Sequence, residues 1–166
     1  MSGEVEAQHV FVTVGAQMAF DRLVHAVDRW AATTEREVEV FAQIGPSDDP
    51  PTHVPHVASM GPADFAERMA WADVVVSHAG MGTIISALVD GTPLVLLPRL
   101  GARQETRNDH QVATVARFAD RDGVTAVDDE NALVEVLEAG RWSRPASIST
   151  EASPELISTI RDFIDA

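Results

Sequence analysis

The chain has 166 residues, 45% of them apolar, which is enough for one domain with a sizeable core. Cysteine and lysine are both absent, which excludes disulfides, thiolate metal sites and every lysine or cysteine nucleophile. The formal net charge of −14 disfavours nucleic acid and anionic membrane as direct partners. With neither a leader pattern nor an apolar run of spanning length, we expect a cytoplasmic protein.

Short β-branched runs alternate along the chain with segments whose apolar residues have helical spacing. In chain order we predict strands at 9–14, 38–44, 56–58, 73–77, 93–97 and 124–127, and helices at about 20–32, 63–71, 83–90, 108–120, 131–139 and 154–164. This alternation is typical of an α/β fold, a Rossmann-like parallel sheet of about six strands with helices on both faces. We expect one domain over residues 1–140, on which a connector and a C-terminal helix (141–166) pack.

The stretch from 73 to 99 contains the clearest unit, a strand, a glycine-bearing turn, a helix and a second strand. Gly80 and Gly82 let the backbone turn sharply after the first strand, and Gly91 ends the helix. Free amides and the positive end of the helix dipole favour an anion at such a turn. A phosphate group is the ligand that this unit predicts.

A second glycine turn, Gly15-Ala16-Gln17, follows the first strand and is predicted to lie at the same edge of the sheet. Together the two turns are suited to hold a diphosphate. The alternative is that these glycines are ordinary turn residues. A dinucleotide fingerprint fits poorly, because Ile85 stands where its third glycine is needed, so NAD is not expected.

Three arginines, Arg99, Arg103 and Arg107, follow the fifth predicted strand in an otherwise acidic chain. They are suited to complement ligand phosphates or an acidic partner, and the alternative is that they are solvated loop residues. The polar run 108–111 then opens a helix and suits recognition of sugar hydroxyls, although Asn108 or Asp109 is alternatively a helix cap. We predict no metal site, since the histidines at 53 and 56 lack acidic or thiol neighbours.

The phrases VFVTVGAQMAFDRLVHAVD, QIGPS, AWADVVVSHAGMGTIISALVDGTPLVLLPR and NDHQVATVARFA cover most of residues 10–119. In order and spacing they resemble the sugar-nucleotide-binding half of family twenty-eight glycosyltransferases. The resemblance implies a GT-B C-terminal domain that binds a UDP-sugar as substrate, without a cofactor. It also implies inverting, metal-independent transfer of a hexose or N-acetylhexosamine to a lipid-linked acceptor.

The resemblance further implies a membrane-associated, acceptor-binding partner subunit that supplies the general base, so the chain is expected to be peripheral to the membrane and active only with that partner. Self-association is left open. The donor-binding residues that it implies are Gly15, Ala16 and Gln17 at the diphosphate, Met60 near the base, His78, Ala79, Gly80, Met81, Gly82 and Thr83 around the phosphates and ribose, and His110 and Gln111 at the sugar.

One position departs from the family's pattern. Many members have a glutamate at the position of Ser86, where it binds the ribose hydroxyls. Serine offers a neutral and weaker hydrogen bond, unless Asp90 or Asp109 supplies the carboxylate. This departure favours an alternative, a non-catalytic nucleotide-sugar-binding or scaffold module, whereas the glycine turns and the 108–111 run favour an enzyme.

Overall fold

In a computed structural model, which describes residues 7–146 and 148, the chain forms a six-stranded parallel sheet. The strands are β1 (Gln8–Thr13), β2 (Val38–Gln43), β3 (His56–Val57), β4 (Val74–Ser77), β5 (Leu94–Leu96) and β6 (Val124–Ala126). They lie in the order β3-β2-β1-β4-β5-β6, and every pair is parallel. The predicted α/β class and strand number are confirmed.

Five helices cover the two faces of the sheet. They are α1 (Asp21–Thr33), α2 (Pro62–Trp71), α3 (Met81–Asp90), α4 (His110–Phe118) and α5 (Glu130–Ala139). Helices α1 and α5 pack on one face, and α2, α3 and α4 pack on the other. The prediction of helices on both faces is therefore confirmed.

The central strands are apolar on both sides because both of their faces are covered. Val10 and Val12 of β1 face α1 and α5, while Phe11 between them faces α2 and α3, and all three are 0% exposed. This alternation within one run of β-branched and aromatic residues is what a doubly covered parallel strand requires.

Helix boundaries follow local signals where these are strong. Gly91 ends α3 in the left-handed conformation, with φ of 66°, as predicted. The predicted start of α4 is wrong by two residues, because the helix begins at His110 rather than at 108. A short 3-10 turn at Gly101–Arg103 precedes it. The backbone there is shaped by contacts with distant residues, described below.

The strand order creates a crevice between β1 and β4. These strands are neighbours in the sheet, but β1 leads into α1 on one face and β4 leads into α3 on the other. The loops that follow them therefore diverge, which opens a crevice at the carboxyl edge of the sheet. This is the position that the two glycine turns occupy.

The connector after α5 returns to the opposite face, where the Ile148 amide donates to the Leu88 carbonyl at 3.1 Å. The predicted helix at 154–164, and its packing, lie outside the described residues. None of the helices in the described ranges has the length and apolar character needed to cross a membrane.

Candidate functional site

The crevice is an open cleft of about 840 Å³, which we call the glycine cleft. It is lined by Val14, Gly15, Ala16, Gln17, Met18, His78, Gly80, Gly82, Thr83, Arg99, Thr106, Arg107, Asn108, His110 and Gln111. Neither an aspartate nor a glutamate is among these residues, although the chain contains 26 of them. Within the part of the chain that the structure describes, the cleft is thus a region without negative side chains in a strongly acidic protein, and this favours an anionic ligand.

Helix α3 points its N-terminus into the cleft. Its N-cap residue is Gly80, which has no side chain to bind the first amides, and no acidic residue occupies the first turn. The N–H groups of the first turn are therefore free to bind an anion. A β-carbon at Gly80 would overlap the imidazole of His78, so the close packing of this turn requires glycine.

His78 lies between the two turns, and its ring contacts the backbone of both. An ideal β-carbon at Gly15 would be 3.1 Å from His78 Cε1. Burial, followed by the positive charge of Arg99, lowers the pKa of His78 to about 4. The imidazole is therefore neutral at pH 7.

Ser77 contacts the His78 ring from the end of β4. Its hydroxyl donates to the Thr13 carbonyl at 2.9 Å, and its oxygen lies 3.3 Å from His78 Nδ1. With the Ser77 proton on Thr13, a protonated Nδ1 would donate to the hydroxyl oxygen and leave Nε2 as a hydrogen-bond acceptor, which suits a ligand hydroxyl better than a phosphate oxygen.

The three arginines do not form the single phosphate-facing cluster that we predicted. Arg99 is 3% exposed, and its guanidinium donates to main-chain carbonyls. Arg103 lies outside the cleft lining and pairs with Glu130 at 3.1 Å. Arg107 is exposed and lines the cleft. The prediction of solvated loop residues is also wrong for Arg99, because the fold buries it beneath the loop that follows β1.

Sequence reasoning missed a buried glutamine that braces the cleft. Gln43, 4% exposed at the end of β2, accepts from the Thr13 hydroxyl at 2.8 Å. Its amide donates to the carbonyls of Gly15 and Ala58 at 2.9 and 2.8 Å. The available signal was a polar residue at the end of β2, after the apolar residues Val40, Phe41 and Ala42 and two positions before Gly45.

A second missed network shapes the loop after β5. Arg22 of α1 makes a two-pronged contact with Glu105, at 2.7 and 2.9 Å, and reaches Glu130 at 3.2 Å. Glu105 in turn accepts from the Leu100 amide at 2.9 Å. These bonds hold the loop that carries Thr106 and Arg107 to the cleft.

Ten of the predicted site residues line the glycine cleft: Gly15, Ala16, Gln17, His78, Gly80, Gly82, Thr83, Arg99, His110 and Gln111. Ala79 is buried, whereas Met81 is 48% exposed beside the cleft. Met60 lines a separate pocket with Phe41 and Trp71.

Two further predicted residues lie outside the cleft lining. Ser86 is half-buried, one turn beyond Gly82 on α3. Asp109 accepts from the Gly101 amide at 2.8 Å and thus holds the 3-10 turn. The donor-binding roles of all these residues stay predictions.

The parallel, doubly covered sheet with two glycine turns at its switch point is a Rossmann-like domain, of the type that forms the C-terminal half of GT-B glycosyltransferases. The chain belongs to the glycosyltransferase family 28 C-terminal domain family, whose model matches residues 9–164.

Two curated bacterial relatives are similar in sequence. The chain is 34% identical over 108 residues to the UDP-N-acetylglucosamine--N-acetylmuramyl-(pentapeptide) pyrophosphoryl-undecaprenol N-acetylglucosamine transferase of Xanthomonas campestris, a match that covers 61% of this chain and 25% of that enzyme. The enzyme of the same name from Zymomonas mobilis is 29% identical over 100 residues, or 56% of this chain and 25% of the enzyme. The matched part thus spans about a quarter of those enzymes' length.

Two solved structures have the same fold. The solution structure of ALG13 superposes with a TM-score of 0.58 at 18% identity, covering 99% of this chain and 100% of that one. MurG of Acinetobacter baumannii also gives a TM-score of 0.58 at 18% identity, with 95% of this chain and 42% of MurG covered.

Proposed function

We propose that this chain is the donor-binding half of a UDP-sugar-dependent glycosyltransferase, which transfers a hexose or N-acetylhexosamine to a lipid-linked acceptor together with a membrane-associated partner subunit. The names of the curated relatives support a nucleotide-sugar donor and a lipid-linked acceptor. The general base of the reaction is assigned to the partner.

One observation carries the proposal. Two turns, after β1 and after β4, bring free backbone amides to one cleft whose described lining has no negative side chain. Backbone amides and a helix N-terminus are the groups that bind a diphosphate without a lysine. The proposed ligand therefore suits the charge and the hydrogen-bond donors of the cleft.

The same groups account for the proposed chemistry. When the sugar is transferred, the bond between its anomeric carbon and the diphosphate breaks, and negative charge grows on the departing UDP. Amides that are already oriented stabilise this charge without reorganising. Arg107, at the cleft wall, adds a positive charge.

The partner is proposed because of the surface around the cleft. The exposed large hydrophobic residues among those described are Met18, Met81, Ile85 and Val112. Met18 lines the cleft, Met81 lies between two cleft glycines, and Val112 follows the cleft residue Gln111 on α4. An apolar rim around a polar cleft suits a second domain or subunit that closes over the donor and excludes water.

Calorimetric titration with UDP, GDP and dTDP and their sugars tests the donor directly. The informative variant is Gly82→Ala, because a β-carbon there meets no protein atom within 4 Å and would project into open space in α3. Alanine stabilises a helix relative to glycine by up to about 1 kcal/mol. We therefore expect weaker UDP binding together with equal or higher thermal stability.

If Gly82→Ala binds UDP more weakly but is at least as thermally stable as the wild type, the loss of affinity is an effect on the binding site and not on folding. A wild-type chain that binds none of these nucleotides would disprove the donor assignment. Donor binding without sugar transfer into the lipid fraction, when the chain is added to host membranes that lack it, would favour the alternative of a non-catalytic binding module. This alternative remains open because Ser86 stands where many family members have a glutamate.

A further inference from the structure

Arg99 is a buried arginine that has no carboxylate partner within the described ranges. It is 3% exposed, immediately beyond β5, and among the described residues it forms no ion pair within 4.0 Å. A buried guanidinium is costly unless its N–H groups find acceptors. The acceptors that it has found are all main-chain carbonyls.

These carbonyls belong mainly to the loop between β1 and α1. Arg99 Nη2 donates to the carbonyls of Val14 and Met18 at 2.8 and 2.7 Å. Its Nη1 donates to the Ala19 carbonyl at 2.6 Å and to the Glu105 carbonyl at 3.2 Å. Four of the five N–H donors of the planar guanidinium thus bind backbone carbonyls.

Gln43 binds the same loop from the other side, through the Gly15 carbonyl. The carbonyls of residues 14, 15, 18 and 19 are therefore all bound by two buried side chains, one at the end of β2 and one after β5. Neither side chain belongs to the loop itself.

The amides of the loop have the opposite environment. In the described ranges, no protein acceptor is found for the N–H groups of Gly15, Ala16 or Gln17. In a trans peptide the carbonyl of one residue and the amide of the next point in opposite directions. Binding the Val14 and Gly15 carbonyls therefore turns the amides of Gly15 and Ala16 away from Arg99 and Gln43.

We propose that Arg99 and Gln43 are positioning residues, which bind the carbonyls of the β1–α1 loop so that its free amides receive the diphosphate of the nucleotide sugar. Arg99 thus acts on the loop and is not itself a phosphate ligand. The inference rests on the proposed function in one respect, the identity of the anion. The hydrogen bonds from Arg99 and Gln43 to the loop are present in the unligated protein as well.

The test compares UDP with uridine, which lacks phosphates, by calorimetry on the full chain and on Arg99→Lys. Lysine keeps the charge but cannot reach four carbonyls as a fork. We expect Arg99→Lys to weaken UDP binding by about tenfold or more and uridine binding by less than about twofold. Gln43→Met should act in the same direction, although it removes no charge.

The matched control is Arg103→Lys, in the same loop but paired with Glu130 outside the cleft. This variant should bind UDP as the wild type does. Wild-type affinity for UDP in Arg99→Lys would overturn the proposal, because lysine cannot bind the four carbonyls that the arginine fork binds. Equal losses for UDP and uridine would also overturn it.

Amide NMR of the wild type makes the test independent of folding in the variants. On addition of UDP, we expect the amide signals of Gly15, Ala16 and Gln17 to move and the side-chain signals of Arg99 to stay in place, and the reverse pattern would overturn the proposal. If the wild type binds no nucleotide, the proposed function fails by itself. The positioning role is then decided by backbone order at 15–17 in unligated Arg99→Lys, which should fall and would contradict the proposal if unchanged.

Discussion

His78 lines the glycine cleft, packs closely against its neighbours and has a lowered pKa. Its ring contacts the backbone of both glycine turns, and burial, followed by the charge of Arg99, lowers its pKa to about 4 from the ordinary 6.5. In the unfolded chain the ring takes up a proton near its ordinary pKa. Between the two values the unfolded state binds more protons, so stability rises with pH in that window.

We predict that His78 contributes up to about 3 kcal/mol to the loss of stability as the pH falls from 6.5 to 4, at 1.36 kcal/mol for each unit of pKa. Urea unfolding across this range should therefore show a shallower pH dependence for His78→Gln than for the wild type. His56→Gln, which replaces an exposed histidine, is the control and should follow the wild type. Parallel curves for wild type and His78→Gln would contradict the assigned pKa.

At the scale of elements, helix α1 holds the segment after β2 along one of its faces. Asp21 accepts from the Ser47 hydroxyl at 2.6 Å, and His25 lies 3.1 Å from Asp49. One turn further, the carboxylate of Asp28 accepts from backbone amides of the segment 52–54. The proline-rich segment after β2 is therefore attached to α1 by Asp21 and Asp28, and His25 lies close to the segment between them.

Asp28 is the strongest of these attachments. Burial raises its pKa, but the hydrogen bonds from His53, Thr52 and Val54 outweigh burial and lower the pKa to about 2 from 3.8. A lowered carboxyl pKa stabilises the folded state above the ordinary value, and this stabilisation is lost as the pH falls from about 4 to about 2.

We predict that Asp28→Ala lowers the free energy of unfolding at pH 7 by about 1–3 kcal/mol, because three backbone amides, of which the Val54 amide is buried, lose their acceptor. Asp28→Asn keeps an acceptor oxygen, so it should lose less at pH 7 and flatten the acid branch below pH 4. Chemical unfolding of the three proteins measures both effects. Asp48→Asn, an exposed carboxylate of the same segment, should change neither, and an equal loss in that control would refute the specific role of Asp28.

For the molecule as a whole, the distribution of charge and apolar surface distinguishes one edge from the rest. The net charge is −14, yet no acidic side chain lines the glycine cleft among the described residues. The exposed large hydrophobic residues of the same ranges include Met81 and Ile85 on α3 and Val112 on α4, the two helices that carry cleft residues. Exposed apolar groups around a binding site are typical of a surface that is covered by a partner.

We predict that the double variant Ile85→Ser, Val112→Ser retains UDP affinity but transfers less sugar into lipid when it is added to host membranes lacking the chain. Both side chains are more than 40% exposed, at 48% and 42%, so the fold should tolerate the change. Ala116→Ser, at an exposed position of α4, is the control. Undiminished transfer by the double variant would exclude this rim as the partner surface.

Much of the fold could be predicted because its signals are local. The buried face of α1, with Leu23, Val24 and Trp30, follows from helical spacing, and the end of α3 follows from a glycine that adopts a positive φ at little cost. The position of both glycine turns at one edge follows from the rule that parallel strands share their carboxyl ends. For this reason the sequence predicted the cleft residues of the two turns more accurately than the rest of the cleft lining.

The rest of the site could not be predicted because it depends on contacts between residues far apart in the chain. Arg99 and Val14 are separated by 85 positions, and Arg22 and Glu105 by 83. Nothing near Arg99 in the sequence indicates that its partners are carbonyls. Met60 was assigned by resemblance alone, and it lies against Phe41 and Trp71 in a different pocket.

The alternation of strands and helices and the glycine turns are encoded locally, because periodicity and backbone freedom act over a few residues, and the absence of lysine chemistry follows from composition. The burial of Arg99 under the β1–α1 loop, the pairing of Arg103 with Glu130 and the hydrogen bond from Gln43 to Gly15 arise only when the chain has folded. The physical reason is that a buried polar group takes the acceptors that the strand order brings within reach, and that order is a property of the folded sheet.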